Sequence, residues 1–216
     1  MISKKPWPTE DAMAQVYDKN LWGGEDVDFY SGDGSHDPAL LDPYVQAVIA
    51  FLTSFEEPLV VCDLGCGDFN VGRSFVEYSK KYIAVDIVPE LIERNKTKFT
   101  HENLEFYCRD IANHEFPSGD CAILRNVLQH ISNAEIQEII SKLYNFQNLI
   151  VTEHVPEEDF IPNKDIISGQ GIRLKKGSGV DLLAPPFNIE VKEHREWLTL
   201  PYGKGAGLVI TTLYSL

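Results

Sequence analysis

"VVCDLGCGDFN" spans Val60–Asn70 and decides the fold. It opens with a β-branched apolar run, passes an acid at Asp63, and reaches Gly65 and Gly67 two positions apart. A short apolar run bounded by glycine has the pattern of a strand covered on both faces. The glycines mark the turn that follows. Without a Cβ, the backbone can adopt left-handed conformations and approach a bound molecule closely. A strand that turns into a helix this way is the unit of open parallel sheets, and ligands sit outside the carboxyl ends of such strands. A tight turn with no ligand would use the same glycines, so the flanking sequence has to discriminate.

The flanks alternate between strand and helix signals. "PLVVCDL" (58–64) is the first strand, and "VGRSFVEYS" then places Val71, Phe75 and Tyr78 at helical spacing. "YIAVDI" (82–87) is a second strand. Pro89 suits the first turn of the next helix, where its missing N–H costs nothing, and Leu91, Ile92, Asn95 and Phe99 share one side of it. "NLEFYCRDI" (103–111), "DCAILRNVL" (120–128) and "NLIVTEHV" (148–155) read as three more strands. Before the last of these, Ser132 and Glu135 form a capping box, followed by Ile136, Ile139, Ile140 and Leu143 at helical spacing. Such alternation implies a parallel sheet with right-handed crossovers and helices on both faces.

The two ends break this rhythm. One helical stretch runs from Thr9 with Ala12, Met13, Val16 and Tyr17 on a face. A second starts near Asp37-Pro38 or Asp42-Pro43 and carries Tyr44, Val45, Val48, Ile49 and Leu52, with a glycine-rich loop between the two. Residues 156–187 show no periodicity. "IEVKEHREWLTL" and "GLVITTLYSL", joined by "PYGKGA", predict a terminal hairpin. The expected fold is α/β: a doubly wound, mostly parallel sheet of about seven strands, with a C-terminal antiparallel hairpin and an N-terminal helical lid. The chain reads as one domain: a lid over 1–55, a ligand-binding core over 56–155, and a cap segment with the hairpin over 156–216.

Composition narrows the partners. The 216 residues include 33 acidic and 19 basic side chains, for a formal net charge of -14. A polyanion is bound mainly through Lys and Arg contacts to phosphate, so nucleic acid is disfavoured. No apolar run approaches the roughly 18 residues of a membrane helix, and "MISKKPWPTEDA" lacks the apolar core of a signal peptide. The expectation is a cytoplasmic protein with no membrane partner; no feature specifies an oligomeric state. Cys62, Cys66, Cys108 and Cys121 contain no C-x-x-C pair. They are expected to be small buried hydrophobes in a reducing compartment, with no metal.

Three adenosine ligands compete for the glycine turn. A dinucleotide fingerprint, G-x-G-x-x-G, needs a third glycine where Asn70 stands. A P-loop needs Lys followed by Ser or Thr, and "GCGDFNVG" has neither. A sulfonium ligand with an amino-acid tail has no phosphate to neutralise, and Asp63 at the strand end can engage its ammonium group. Asp86 ends the second strand, where a carboxylate can take both hydroxyls of a ribose in charge-assisted hydrogen bonds; it could alternatively cap the following helix. Asp110, beside Ile111, suits a purine amino group next to an apolar ring contact, or a turn.

Taken together, these segments resemble the class I S-adenosylmethionine (SAM)-dependent methyltransferases, of the bacterial small-molecule type. "VVCDLGCGDFN" looks like their first motif, "YIAVDIVPELIERN" their second, and "LEFYCRDIANHEFPSGDCAILRNVLQHI" their third and fourth. The resemblance implies that Asp63, Gly65, Cys66 and Gly67 line the methionine end of SAM. Asp86 and Ile87 would serve the ribose and adenine, Asp110 and Ile111 the base, and Arg125 and Asn126 the methyl-donor side. "FYSGDGSH" (29–36) looks like the family's upstream segment, with Tyr30, Ser35 and His36 in the pocket. One departure is Phe69, where the family often has a third glycine; it is expected to narrow the pocket near the methionine tail. The implied reaction moves a methyl group from SAM to an O or N atom of a small molecule. A hydroxyl acceptor usually needs a base, and histidine titrates in the right range. His130 and His36 rank ahead of His154 as candidates. The competing readings are a non-catalytic SAM-binding module and a nicotinamide-dependent oxidoreductase, the latter opposed by Asn70.

Overall fold

The computed structural model describes residues 6–203 and 207–216. Residues 204–206, within "PYGKGA", and residues 1–5 lie outside them. In chain order the elements are α1 (Thr9–Asp18), α2 (Pro38–Leu52), β1 (Val60–Leu64), β2 (Lys81–Asp86), α3 (Pro89–Lys98), β3 (Leu104–Cys108), β4 (Cys121–Arg125), α4 (Asn133–Leu143), β5 (Asn148–Val155), β6 (Glu193–Pro201) and β7 (Leu208–Ser215). The strands form a seven-stranded sheet in the order β3-β2-β1-β4-β5-β7-β6. β1 to β5 are parallel, and β7 inserts antiparallel between β5 and β6. Strand order reverses between β1 and β4, which opens the crevice where such sheets bind ligands.

Side-chain alternation along the strands divides the core in two. Cys62 and Leu64 of β1 join Leu91 of α3 and Ile136 and Ile139 of α4 on one face. Val61 joins Tyr44, Val48 and Leu52 of α2, with Phe75 and Tyr82, on the other. The period of two thus gives β1 two buried faces and accounts for its continuous apolar sequence.

Local signals explain the helix starts. Of the two candidate starts for α2, Asp37-Pro38 is the one used: Asp37 Oδ1 accepts the Ala39 N–H (2.9 Å), Pro38 fills the first turn, and Pro43 lies inside the helix. The Ser132–Glu135 capping box is complete. The two N-terminal helices part company. α1 borders the crevice, whereas α2 forms a layer of the sheet.

One expected helix is absent. Residues 71–79 form two short 3-10 turns, Gly72–Ser74 and Val76–Tyr78. A Cβ on Gly72 would fall 2.6 Å from the Phe69 ring and 2.7 Å from Asp63 Oδ2, so the chain runs too close to the core for regular helix here. Among the described residues, no helix is long and apolar enough to cross a membrane.

Candidate active site

A cavity of about 340 Å³ lies over the carboxyl ends of β1, β2 and β4, within the size range of small-molecule sites. The glycine turn forms its floor. Gly65 (φ +89°) and Gly67 (φ +54°) are left-handed, and the Gly65 and Cys66 N–H groups donate to Val85 O (2.8 and 2.9 Å). A Cβ on Gly65 would lie 2.4 Å from Val127 Cγ2, and one on Gly67 2.5 Å from Ser31 Oγ. Conformation and space both demand glycine at these positions.

Phe69 corrects an expectation. Its backbone is left-handed (φ +63°), and its side chain is fully buried against Phe106 (ring centroids 4.9 Å apart) and Phe99 (5.2 Å). Its ring fills the core instead of narrowing the cavity.

Two carboxylates stand behind the turn. Asp86 Oδ2 accepts the Gly67 N–H (2.9 Å) and Oδ1 accepts the Val88 N–H (3.1 Å). Burial raises its pKa while these N–H groups pull it back. Since each carboxylate oxygen has two lone pairs, acceptor capacity remains on the cavity side. Asp63 accepts from the Tyr82 hydroxyl (2.9 Å), and burial pushes its carboxyl up to about 7. Ile87 and Ile111 add apolar wall. Asp110 lines the cavity with both oxygens engaged in its own turn, by Ala112 N–H (2.8 Å) and Asn113 Nδ2 (2.7 Å).

The N-terminal loop is stitched onto the glycine turn through Asp68, a residue that sequence reasoning passed over. Ser31 N–H donates to Asp68 Oδ2 (2.9 Å), and Asp68 N–H donates to Ser31 Oγ (2.8 Å), which also meets Tyr17 OH (3.0 Å). Asn70 Nδ2 donates to Ser35 O (2.8 Å), giving this residue a structural task where a dinucleotide site needs glycine. Ser35 lines the cavity, but Tyr30 and His36 do not. Their rings stack at 4.3 Å; Tyr30 OH donates to Asp33 (2.6 Å) and His36 Nε2 contacts Asp68 Oδ2 (2.6 Å). His36 therefore fastens the loop from outside the cavity, and the expectation of it as a base is not met by its position. Ser31→Ala removes the two hydrogen bonds of Oγ, with the Asp68 N–H and the Tyr17 hydroxyl, and is expected to weaken S-adenosylhomocysteine binding by about 5- to 100-fold, on the scale of two neutral hydrogen bonds. Calorimetric titration checks this.

At the end of β4, Arg125 Nη2 donates to Gly34 O (2.6 Å) and its guanidinium lies 4.8 Å from the centre of the Tyr44 ring. Asn126 is left-handed (φ +57°) and donates its N–H to Thr152 O (2.7 Å). Arg125 Nε and Asn126 Oδ1 are buried and have no hydrogen-bond partner among the described residues. Buried polar atoms without partners carry a desolvation cost. Here both belong to cavity-lining residues, as expected of a wall that receives a polar ligand.

The far wall carries the remaining candidates. His130 packs its ring against Trp22 (4.9 Å), and burial pushes its pKa down to about 4. His154 lines the same wall beside Tyr202 (4.4 Å). The loop bearing His130 is held from behind by groups the sequence did not advertise. Glu153 Oε1 accepts the Leu128 N–H (3.1 Å). Arg173, 1% exposed, donates to Leu128 O (2.8 Å), Ile131 O (2.9 Å) and Asn133 Oδ1 (2.6 Å). Burial pushes the Glu153 carboxyl up to about 8, with Arg173 opposing. A carboxyl whose folded pKa exceeds its unfolded value, near 4.3, adds stability below that value and loses it as pH rises through the folded one. Glu153→Gln is therefore expected to gain stability relative to wild type between about pH 5 and about pH 9. Urea midpoints at the two pH values test this, and a constant difference would contradict it.

Cys62 and Cys121 are buried as expected. Cys66 is half-buried on the cavity wall, and Cys108, at the end of edge strand β3, is exposed, against expectation.

Residues 61–147 match the family model described as a methyltransferase domain. Among curated proteins, no sequence matches the chain. Among solved structures, the N-methyltransferase NodS of Bradyrhizobium japonicum WM9 in complex with S-adenosyl-L-homocysteine superposes with a TM-score of 0.69 at 11% identity, over 95% of this chain and 98% of that one. The magnesium protoporphyrin IX methyltransferase ChlM of Synechocystis PCC 6803 with bound SAM gives 0.59 at 15% identity, over 99% and 100%. Human N-acetylserotonin methyltransferase in complex with SAM gives 0.52 at 16%, over 91% and 61%. The sheet order and the crevice at its switch point define a class I, Rossmann-like methyltransferase fold. Within that fold, residues 61–147 carry the match to the methyltransferase domain.

Proposed function

We propose that the protein transfers the methyl group of SAM to an oxygen or nitrogen atom of a small-molecule acceptor. The observation that carries this reading is a single cavity with two chemically different ends. One end has the glycine cradle, Asp86 and the apolar Ile87 and Ile111; the other has Gln129, His130, His154 and Tyr202. The cradle, which an added Cβ would fill, and the unpartnered atoms of Arg125 and Asn126 fit a polar adenosine ligand. In this reading Asp63, Gly65, Cys66 and Gly67 hold the amino-acid tail, Asp86 the ribose, Ile87, Asp110 and Ile111 the base, and Ser35, Arg125 and Asn126 the side facing the acceptor. Two of the similar structures, ChlM and N-acetylserotonin methyltransferase, carry a small-molecule acceptor in their names.

SAM supplies a sulfonium methyl group that is displaced in line by the acceptor. The chain's own task is to orient and to exclude water, which together can supply much of such a rate. α1 and the Trp22 loop cover the cavity from one side, and residues 170–175 close it from another.

The test incubates the purified protein with radiolabelled SAM and panels of amines, phenols, alcohols and carboxylic acids. Label appearing in a small molecule is the expected result. Label confined to protein or nucleic acid, or no transfer by a protein that binds S-adenosylhomocysteine, would overturn the reading.

A further inference from the structure

The amide of Gln129 lies between two histidines. Its Oε1 accepts the backbone N–H of His154 (3.0 Å). A backbone N–H can only donate, so this contact fixes which end of the amide is which. The other end, Nε2, therefore faces Nε2 of the His130 ring at 3.2 Å. An amide nitrogen carries two donors and no acceptor. Flipping the amide would set its NH₂ against the His154 N–H, so the orientation follows from the hydrogen-bond network. A donor on one side needs a lone pair on the other, which makes His130 Nε2 the acceptor. The proton of the neutral imidazole then sits on Nδ1.

The surroundings of the ring agree. Nδ1 is buried and makes no hydrogen bond among the described residues, and burial of the ring favours its neutral form. His130 O in turn accepts the Gly169 N–H (3.0 Å), so the cap is in register with this residue. A second ring proton would point at the Gln129 NH₂. Arg173, bound to the carbonyls of Leu128 and Ile131 on the same loop, adds like charge. Glu153, on the strand behind, accepts the Leu128 N–H through Oε1, while its Oε2 is buried without a hydrogen-bond partner among the described residues.

We propose that Gln129 is a positioning residue that holds His130 as the neutral Nδ1–H tautomer, so that the ring offers the cavity no free lone pair and does not act as a base. The lone pair a base would need is engaged by Gln129. This replaces the expectation that His130 removes a proton from the acceptor; an acceptor that must lose a proton loses it to another group. The assignment rests on the chain's own hydrogen bonds and stands independently of the transfer reading.

The test is long-range proton–nitrogen NMR on the full chain labelled with ¹⁵N-histidine. The chain has six histidines, and the His130 signal is identified by its loss in His130→Asn. Expected is a protonated-type nitrogen at Nδ1 and an unprotonated-type nitrogen at Nε2, unchanged between about pH 6 and about pH 8, where an ordinary histidine titrates. Gln129→Glu places an acceptor against Nε2 and is expected to move the proton to that nitrogen. A wild-type ring protonated at Nε2, averaged between tautomers, or cationic at about pH 6 would overturn the proposal, as would an unchanged pattern in Gln129→Glu. If that variant does not fold, the wild-type pattern alone decides. A parallel titration with S-adenosylhomocysteine keeps failure of the methyl-transfer reading separate from failure of this one.

Discussion

Asp86→Ala is expected to weaken S-adenosylhomocysteine binding by roughly 10²- to 10⁴-fold, because two hydrogen bonds to a charged acceptor are each worth about 1.5–3 kcal/mol. Asp86 both holds the glycine turn, through the Gly67 N–H, and lines the cavity. The substitution removes the acceptor proposed for the ribose and also leaves the N–H groups of Gly67 and Val88 without their partner. The second effect costs stability, about 1–3 kcal/mol per orphaned group, and is read separately from urea unfolding. Asp86→Asn keeps one acceptor oxygen and should fall between wild type and alanine. Binding by Asp86→Ala within about threefold of wild type would mean that the carboxylate serves only the turn.

At about pH 9, above the value of Glu153, Arg173→Met is expected to cost about 3–5 kcal/mol of folding stability, the penalty for leaving a buried charge without its opposing cation. The guanidinium satisfies three acceptors in the loop that follows β4 and offsets the charge of Glu153. Methionine fills similar volume and donates to none of them. The double variant Arg173→Met/Glu153→Gln removes both charges and should recover part of the loss, since an uncompensated buried charge costs more than an absent pair. Urea unfolding of wild type, both single variants and the double variant forms the cycle. A double variant no more stable than Arg173→Met would show that the hydrogen bonds to the loop, and not the charge pair, carry the effect.

The legible parts of the fold were those with local causes. β5 lies over 148–155 as its apolar run predicted, and α4 begins at its Ser132–Glu135 box because capping is a contact between residues three apart. The glycine turn was legible for a similar reason, since only glycine supplies both the conformation and the clearance found at Gly65 and Gly67. The segment after it was misread as helix. The spacing of Val71, Phe75 and Tyr78 is helical, but the close approach of Gly72 to Phe69 and Asp63 is tertiary and leaves no periodic trace.

The same division holds in the site. Asp63, Asp86 and Ile87 stand at strand ends, where sheet topology places ligands. Ser31 with Asp68, through two hydrogen bonds, and Arg173 with Leu128, through one, join positions 37 and 45 apart. Residues 156–187 gave no periodicity for Arg173 to belong to, and its neighbours Lys175 and Lys176 are exposed while it is buried. A signal for Asp68 was present, as an acid inside the glycine motif with no helix to cap. Gln129 sat unremarked beside His130, although an amide next to a histidine is a common means of fixing a tautomer only when a third group fixes the amide, and that group, the His154 N–H, is visible only in space.

In the proposed reading, the crevice over β1, β2 and β4 is a SAM site. Isothermal titration of the purified protein with S-adenosylhomocysteine tests it most directly, with NADH as the comparison ligand. One-to-one binding of S-adenosylhomocysteine in the micromolar range and no heat from NADH are expected; NADH binding, or no binding of S-adenosylhomocysteine at millimolar concentration, would contradict the assignment.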